Sequence, residues 1–413
     1  MCFLIAILNQ MDLTALLELD RLAIASVSPL SKKRYVWERL RASTGRPFVA
    51  LFGPRGSGKT VLLRQLRAEN DAAIYLSADT LDRGTDLFDI AKRLHENYRI
   101  SALYIDEIHF IPDYARHVKQ IFDFLPVAVW FTSSVSLSLT AAGWDLSRRV
   151  VRQRLEPFSF REFLWFESDR VYQPLSLADC LRSRIGSEYL AATPAFRRYM
   201  VGGLHPFMLG AGADTSLFSG ILDTVVSRDI PGFDPSLSAE DINRLHDTVR
   251  FIGSSPVDGI NYSSVSRNVG ITKYKAQRYL EYLERSFILT RVMPAGTNVL
   301  QEPKVLMQLP YRLVYQTLDQ AIGALREEFF AQAMRHHEQE FRYAKSTRGQ
   351  KTPDYIVDVD GERTVLEIGG PGKGRTQFKE VEYARKVVLH DTSARDVAPE
   401  PGRSVPLHCV GFA

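Results

Sequence analysis

Eight consecutive residues, Gly53-Pro54-Arg55-Gly56-Ser57-Gly58-Lys59-Thr60, fit G-x-x-x-x-G-K-[ST] in full. Glycines at these positions let the backbone wrap a phosphate chain. The amides at the start of a following helix, up to Val61, point at the anion. Lys59 is placed to reach β- and γ-phosphates and Thr60 to ligate Mg²⁺, so ATP and Mg²⁺ are the cofactors expected. Downstream, Asp106 and Glu107 close the apolar run Ala102–Ile105. Asp106 can hold the Mg²⁺ shell, and Glu107 can orient and deprotonate an attacking water. Alone, two carboxylates at a strand end read equally as solvated caps; the phosphate loop upstream tips the reading to catalysis. The next apolar run ends in the hydroxyls of Thr132, Ser133 and Ser134; a polar residue there could sense the γ-phosphate, and either serine could equally cap a helix. Arg148 and Arg149, with Arg152 and Arg154 close behind, could supply an arginine finger to a neighbouring subunit of a homo-oligomer, or form a solvated helix face.

The elements that must position these groups alternate. Pro47–Phe52, Ala72–Leu76, Ala102–Ile105 and Val127–Thr132 are short apolar runs that predict strands. Helical patterns at Thr60–Glu69, Leu87–Tyr98 and Val118–Leu125 separate them. Strands alternating with helices imply an α/β fold, a parallel sheet covered by helices. Residues 12–42 read as helical, and Met11 opens a more natural amphipathic segment than the apolar MCFLIAILNQ before it. After Pro157 the pattern changes to helices, with turn signals at Gly202-Gly203, Gly210–Gly212 and Pro231-Gly232.

Gly259–Met293 reads as helix-turn-helix plus strand. Gly270 makes the turn, Thr272 caps the second helix, and Ala276, Tyr279, Leu280 and Leu283 form its buried stripe. Lys273, Lys275, Gln277 and Arg278 would then be exposed where such folds contact DNA; Glu281 and Glu284 would oppose that role. Pro294–Pro303 reads as a linker.

Composition sets the outer limits. In 413 residues, 52 Lys and Arg against 48 Asp and Glu leave a net charge of +4, and 45% of residues are hydrophobic. Dominant disorder is excluded, and nucleic-acid binding is permitted through a local patch but not required. Three dispersed cysteines suit a reducing, cytoplasmic setting, and no apolar run approaches the ~18 residues of a membrane span. The nine histidines show no metal spacing.

GPRGSGKT, LYIDEIH, the Ser-Ser pair, the arginine pair and LEPFSFREFL (155–164) together resemble the AAA+-like predicted ATPases of bacteria and archaea. VGGLHPFML (201–209) and VVSRDI (225–230) are similar to later segments of that family. The resemblance covers the chain from about residue 30 and implies a helical region, a winged helix and a C-terminal nuclease-like domain, so with the helical start five parts are expected. These are an N-terminal helical segment (1–40), a P-loop NTPase domain (41–165), a helical lid region (166–255), a winged helix (256–300) and a small α/β nuclease-like domain (301–413). Leu309 and Tyr311 depart from the Asp and Gly often found in that family.

Glu327, Asp354 and Glu367 resemble the acidic set of a PD-(D/E)xK nuclease core, in which carboxylates bind Mg²⁺. The lysine of that motif is missing, because Gly369 stands in its place. Lys373 or Lys379 could migrate into the role, and Gly369–Arg375 resembles a glycine-rich basic loop. The expectation is an inactive nuclease fold. The function that follows is an ATPase acting as a nucleotide-driven switch for its winged-helix and C-terminal modules. The alternative is an ATP-coupled DNA-binding or DNA-processing nuclease.

Overall fold

The computed structural model describes residues 13–42, 48–82, 84–136, 146–210, 214–295, 302–344, 353–369, 383–391 and 404–413. The chain divides into two compact units: residues 1–53 with 58–155, and residues 54–57 with 156–413.

The first unit is built on five parallel strands: β1 (Phe48–Phe52), β2 (Ala73–Ser77), β3 (Ala102–Asp106), β4 (Ala128–Ser133) and β5 (Val150–Arg154). Their order is β2-β3-β4-β1-β5. β5 lies beyond the four strands expected. Its pattern, buried only at Val150, is that of a half-exposed edge and carries little apolar signal.

Successive side chains of a strand face opposite sides, and each side has its own core. Phe48, Ala50, Ile74, Leu76, Leu103, Ile105, Val129 and Phe131 pack with the helices Leu87–Tyr98 and Tyr114–Phe124. Val49, Leu51, Ala73, Tyr75, Ala102, Tyr104 and Trp130 pack with the helices Val36–Arg41 and Lys59–Ala68. The helical stretch expected over 12–42 is two helices, Leu13–Val27 and Val36–Arg41. Arg67 in the second layer forms a two-point pair with the buried Asp20 carboxylate at 3.0 and 2.6 Å, fixing the N-terminal helix to it.

The second unit has two cores. One gathers the helical segments around residues 208–252 with Tyr262–Val269, Lys273–Arg285 and an antiparallel pair, β6 (Leu289–Val292) and β7 (Lys304–Met307). Tyr262–Val269 is capped by Asn261 and ends on Gly270 at φ 71°, a left-handed turn that favours glycine. Thr272 Oγ1 accepts the Lys275 N–H at 3.2 Å, the cap its sequence position predicts. Ala276, Tyr279, Leu280 and Leu283 are all buried. β7 lies past the boundary drawn at residue 300. Pro294–Pro303 therefore connects two paired strands, although the run looks like a linker in sequence.

The other core belongs to a mixed sheet, order β12-β11-β10-β9-β8, built from β8 (Phe341–Tyr343), β9 (Tyr355–Val359), β10 (Glu362–Gly369), β11 (Arg385–His390) and β12 (Ser404–Pro406). The helix Leu318–His336 covers it. This core also takes in Phe158 to Leu204, so residues 158–204 pack with the C-terminal sheet. Phe412 joins them, with ring centroids 5.3 Å from Phe160 and 5.0 Å from both Tyr172 and Tyr189.

Candidate functional site

The carboxyl ends of β1, β3 and β4 carry the motif residues, the edge of an open parallel sheet where ligands bind. β1 is buried and runs straight into the phosphate loop. Gly58 closes the loop at φ 91° and begins the helix Lys59–Ala68 without a side chain to cap it. Lys59 is 5% exposed, and its Nζ donates to Gly53 O at 2.9 Å. The ammonium thus spans the loop from end to end. Ser57 is buried, and Val61 turns its side chain 36% outward on the helix.

Arg55 reaches a partner outside the loop. Its Nε and Nη2 each donate to a carboxylate oxygen of Asp229 at 2.6 Å. Asp229 is fully buried at the end of the π-helical turn Val225–Asp229. Gly56, at φ 76°, lies against the same region. A Cβ there would stand 2.4 Å from Phe207 Cε1, so only glycine fits.

The second half of the site is a hydrogen-bonded net at the ends of β2, β3 and β4. Tyr75 OH donates to Asp106 Oδ2 at 3.0 Å, and Arg64 Nη2 donates to Tyr75 OH at 3.1 Å. Burial, together with the Asp106 charge, pushes the Tyr75 phenol up to about 12. Thr132 Oγ1 donates to Asp106 Oδ1 and accepts the Glu107 N–H, the latter at 2.9 Å.

Glu107 itself has a left-handed backbone, φ 51°, a conformation uncommon for a residue with a Cβ and frequent at active sites. Its Oε2 accepts the Ser134 N–H at 2.9 Å and lies 3.3 Å from His109 Nδ1. Ser133 Oγ faces the same His109 nitrogen at 3.2 Å and accepts the Val135 N–H at 3.1 Å. Asp106, Glu107, Ser133 and Ser134 are therefore brought together. Thr132, read in sequence only as one of three neighbouring hydroxyls, joins them, as do Tyr75 and His109, which sequence reasoning did not single out for chemistry.

The donor set fits a nucleotide and its metal. It offers a glycine loop with a buried ammonium inside it, plus a buried carboxylate with Thr60 as hard-oxygen ligands. Arg149 does not join this group; its Nε donates to Asp123 Oδ1 at 3.0 Å in the same unit. Arg148 is exposed.

Of Glu327, Asp354 and Glu367, the first meets a cation from an unexpected place. Lys304 of β7 is 2.6 Å from Glu327 Oε2 and 3.0 Å from Asp258 Oδ1. Tyr355 OH donates to Glu327 Oε2 at 2.6 Å, and Asp354 Oδ2 accepts the Ile368 N–H at 2.8 Å. Glu367 is 2% exposed. Among the described residues, no group of three or more His, Cys, Asp or Glu is arranged to hold a metal ion. Lys373, Lys379 and the loop from Gly370 to Arg375 lie outside the described residues.

On the helix Lys273–Arg285, Lys273, Lys275 and Gln277 are exposed as expected, but the cations have partners within the fold. Lys273 pairs with Glu302, Lys275 with Asp241 at 2.9 Å, and Arg278 with Asp234 at 2.7 Å. Tyr274 is 73% exposed. Pairing within the fold thus occupies three of the cations that would have faced a nucleic acid.

Among the described residues, no helix is long and apolar enough to cross a membrane. No curated protein sequence matches the chain. Among solved structures, similarity extends to Orc1 of Aeropyrum pernix in complex with DNA, at 14% identity and TM-score 0.29, covering 75% of this chain and 93% of that one. AMPPCP-bound DnaA from Aquifex aeolicus is similar at 12% identity and TM-score 0.23, covering 64% and 87%. Residues 193–308 match a domain of unknown function, a span that ends just past β7. Residues 45–164 match an AAA domain, and the phosphate loop and five-stranded parallel sheet found there are those of a P-loop NTPase fold.

Proposed function

We propose that the protein is an ATPase whose nucleotide state switches the helical and C-terminal elements of residues 156–413. The observation that carries the switch is the two-point Arg55–Asp229 pair. A side chain of the phosphate loop is bound to a buried carboxylate of the helical region. Phosphates arriving at the loop would compete with Asp229 for Arg55, so binding acts directly on that region. Lys59 binds the β- and γ-phosphates. Thr60 and Asp106 would hold Mg²⁺, which supplies charge neutralisation on the transferred phosphoryl group. Glu107 takes the proton of the attacking water, and Ser133 or Ser134 senses the γ-phosphate. An arginine finger in trans, and with it a homo-oligomer, falls to the exposed Arg148, since Arg149 is held by Asp123.

ATP-coupled DNA processing fits less well. Paired lysines on the helix Lys273–Arg285 have little charge to offer phosphates. The Lys304 ammonium already neutralises Glu327 in the nuclease-like centre. The winged-helix and nuclease-like shapes then serve as an interaction and regulatory module.

The deciding experiment measures phosphate release from Mg-ATP by the wild type beside Glu107→Gln, with proteolysis of residues 156–413 followed with and without nucleotide. The expected result is turnover in the wild type, its loss with nucleotide still bound in the variant, and a cleavage pattern that changes with nucleotide. Absence of turnover in both overturns the ATPase; an unchanged cleavage pattern overturns the switch.

A further inference from the structure

We propose that His109 is a positioning residue that sets the Glu107 carboxylate and ties it to the end of β4. The inference rests on Glu107 being the group that activates water.

The geometry starts from the backbone. Glu107 leaves β3 in a left-handed conformation and opens the short turn Ile108–Phe110. That turn brings the His109 ring back beside the Glu107 carboxylate. The His109 side chain is 2% exposed, and its ring lies against Phe110 with centroids 4.3 Å apart. A ring this enclosed has few orientations. Its Nδ1 is 3.3 Å from Glu107 Oε2 and 3.2 Å from Ser133 Oγ.

An ionised carboxylate only accepts hydrogen bonds, so the proposed hold is made by the His109 form that carries a hydrogen on Nδ1. The next residue of β4, Ser134, donates its N–H to the same Oε2 at 2.9 Å. One oxygen of Glu107 is therefore held from two sides. Both holds lead to Ser133 and Ser134, the place where a γ-phosphate would be sensed. Movement at the end of β4 is transmitted to the base through the imidazole and the Ser134 amide. Holding a base in its working geometry removes the entropy of searching for it, and misplacement of about 1 Å costs up to ~100-fold in rate. His109 does this without touching substrate.

The test uses the full chain with Mg-ATP and three variants. Asparagine places its amide nitrogen where Nδ1 stands; alanine places nothing there. His109→Ala is expected to lower kcat about 10- to 100-fold while leaving nucleotide Kd, read with a fluorescent analogue, within twofold of the wild type. His109→Asn is expected to recover most of kcat. The proposal is overturned by a kcat for His109→Ala within twofold of the wild type. It is also overturned by a matched loss of kcat and affinity, or by His109→Asn performing no better than alanine. Glu107→Gln separates the two layers. If that variant turns over like the wild type, the reading of Glu107 fails. If it is inactive while His109→Ala is fully active, only the role of His109 fails.

Discussion

Thr132 is buried at the end of β4, donates to Asp106 and accepts from the Glu107 amide. One hydroxyl thus fixes the Asp106 carboxylate and the backbone of Glu107 at once. Thr132→Val keeps the shape and removes both bonds, leaving a carboxylate oxygen and an N–H inside the protein. The expected cost is ~1–3 kcal/mol in urea unfolding, with a fall in phosphate release beyond the fraction unfolded. Thr132→Ser, which keeps the hydroxyl, should restore both. Asp106 and Glu107 were legible in sequence because two carboxylates ending an apolar run have few other uses once a phosphate loop is present. The bonds made by the Thr132 hydroxyl were not, nor were Tyr75 and His109. Their roles depend on strand order and register, such as Ile105 opposite Phe131, which a single sequence does not state. Arg55 was legible by type but not by partner, because Asp229 lies 174 residues away.

Among elements, legibility followed burial. β1 to β4 are continuous apolar runs and stand out; β5 is an edge with three polar residues in five. β7 hid because its partner β6 precedes a Pro- and Gly-bearing connection that reads as a boundary. What fixes β7 is polar. Glu328, fully buried on the helix Leu318–His336, accepts the Met307 N–H at 3.1 Å and Arg312 Nε at 2.8 Å. Arg312 Nη1 goes on to Ser255 O at 2.6 Å and Ile252 O at 3.0 Å, at the end of the helix Ala239–Ser254. Burial pushes the Glu328 carboxyl up to about 7 against the opposing pull of Arg312. Arg312→Leu removes that pull and strands the carboxyl. Breaking such a pair costs ~3–5 kcal/mol, so a clear drop in Tm is expected. Arg312→Leu combined with Glu328→Leu should lose less than the single variant, since no uncompensated charge is left. A double variant less stable than the single would show that the pair is more than a satisfied burial.

The molecule as a whole places a buried neutral histidine at each of the two cores of its second unit, and this sets its response to acid. His205 stacks among Phe207, Phe218 and Tyr311, with Nε2 3.3 Å from Leu309 O. His408 lies among Phe160, Phe196 and Phe412, with Nε2 3.2 Å from Tyr189 O. Burial pulls both imidazoles from 6.5 down to about 4. The unfolded chain therefore takes up a proton at each site near pH 6.5, while the folded chain refuses it until about pH 4. Stability is complete above pH 6.5 and falls as pH drops between those values. By pH 5 each site removes about 2 kcal/mol. Burial lowers His337 and His390 as well, so they act in the same direction. Paired carboxylates such as Asp234, held down at about 2, begin to lose their contribution only below the ordinary carboxylate range. Glu328, held up at about 7, works the other way over part of this range, but it is one group against four imidazoles, which set the sign between pH 6.5 and 4. Urea midpoints for unfolding of the second unit should fall steadily from pH 7.5 to 5. His205→Gln with His408→Gln retains a donor in reach of both carbonyls and removes the titration. In that variant the same pH range should change the midpoint much less. A decline as steep as the wild type's would move the acid sensitivity away from these two cores.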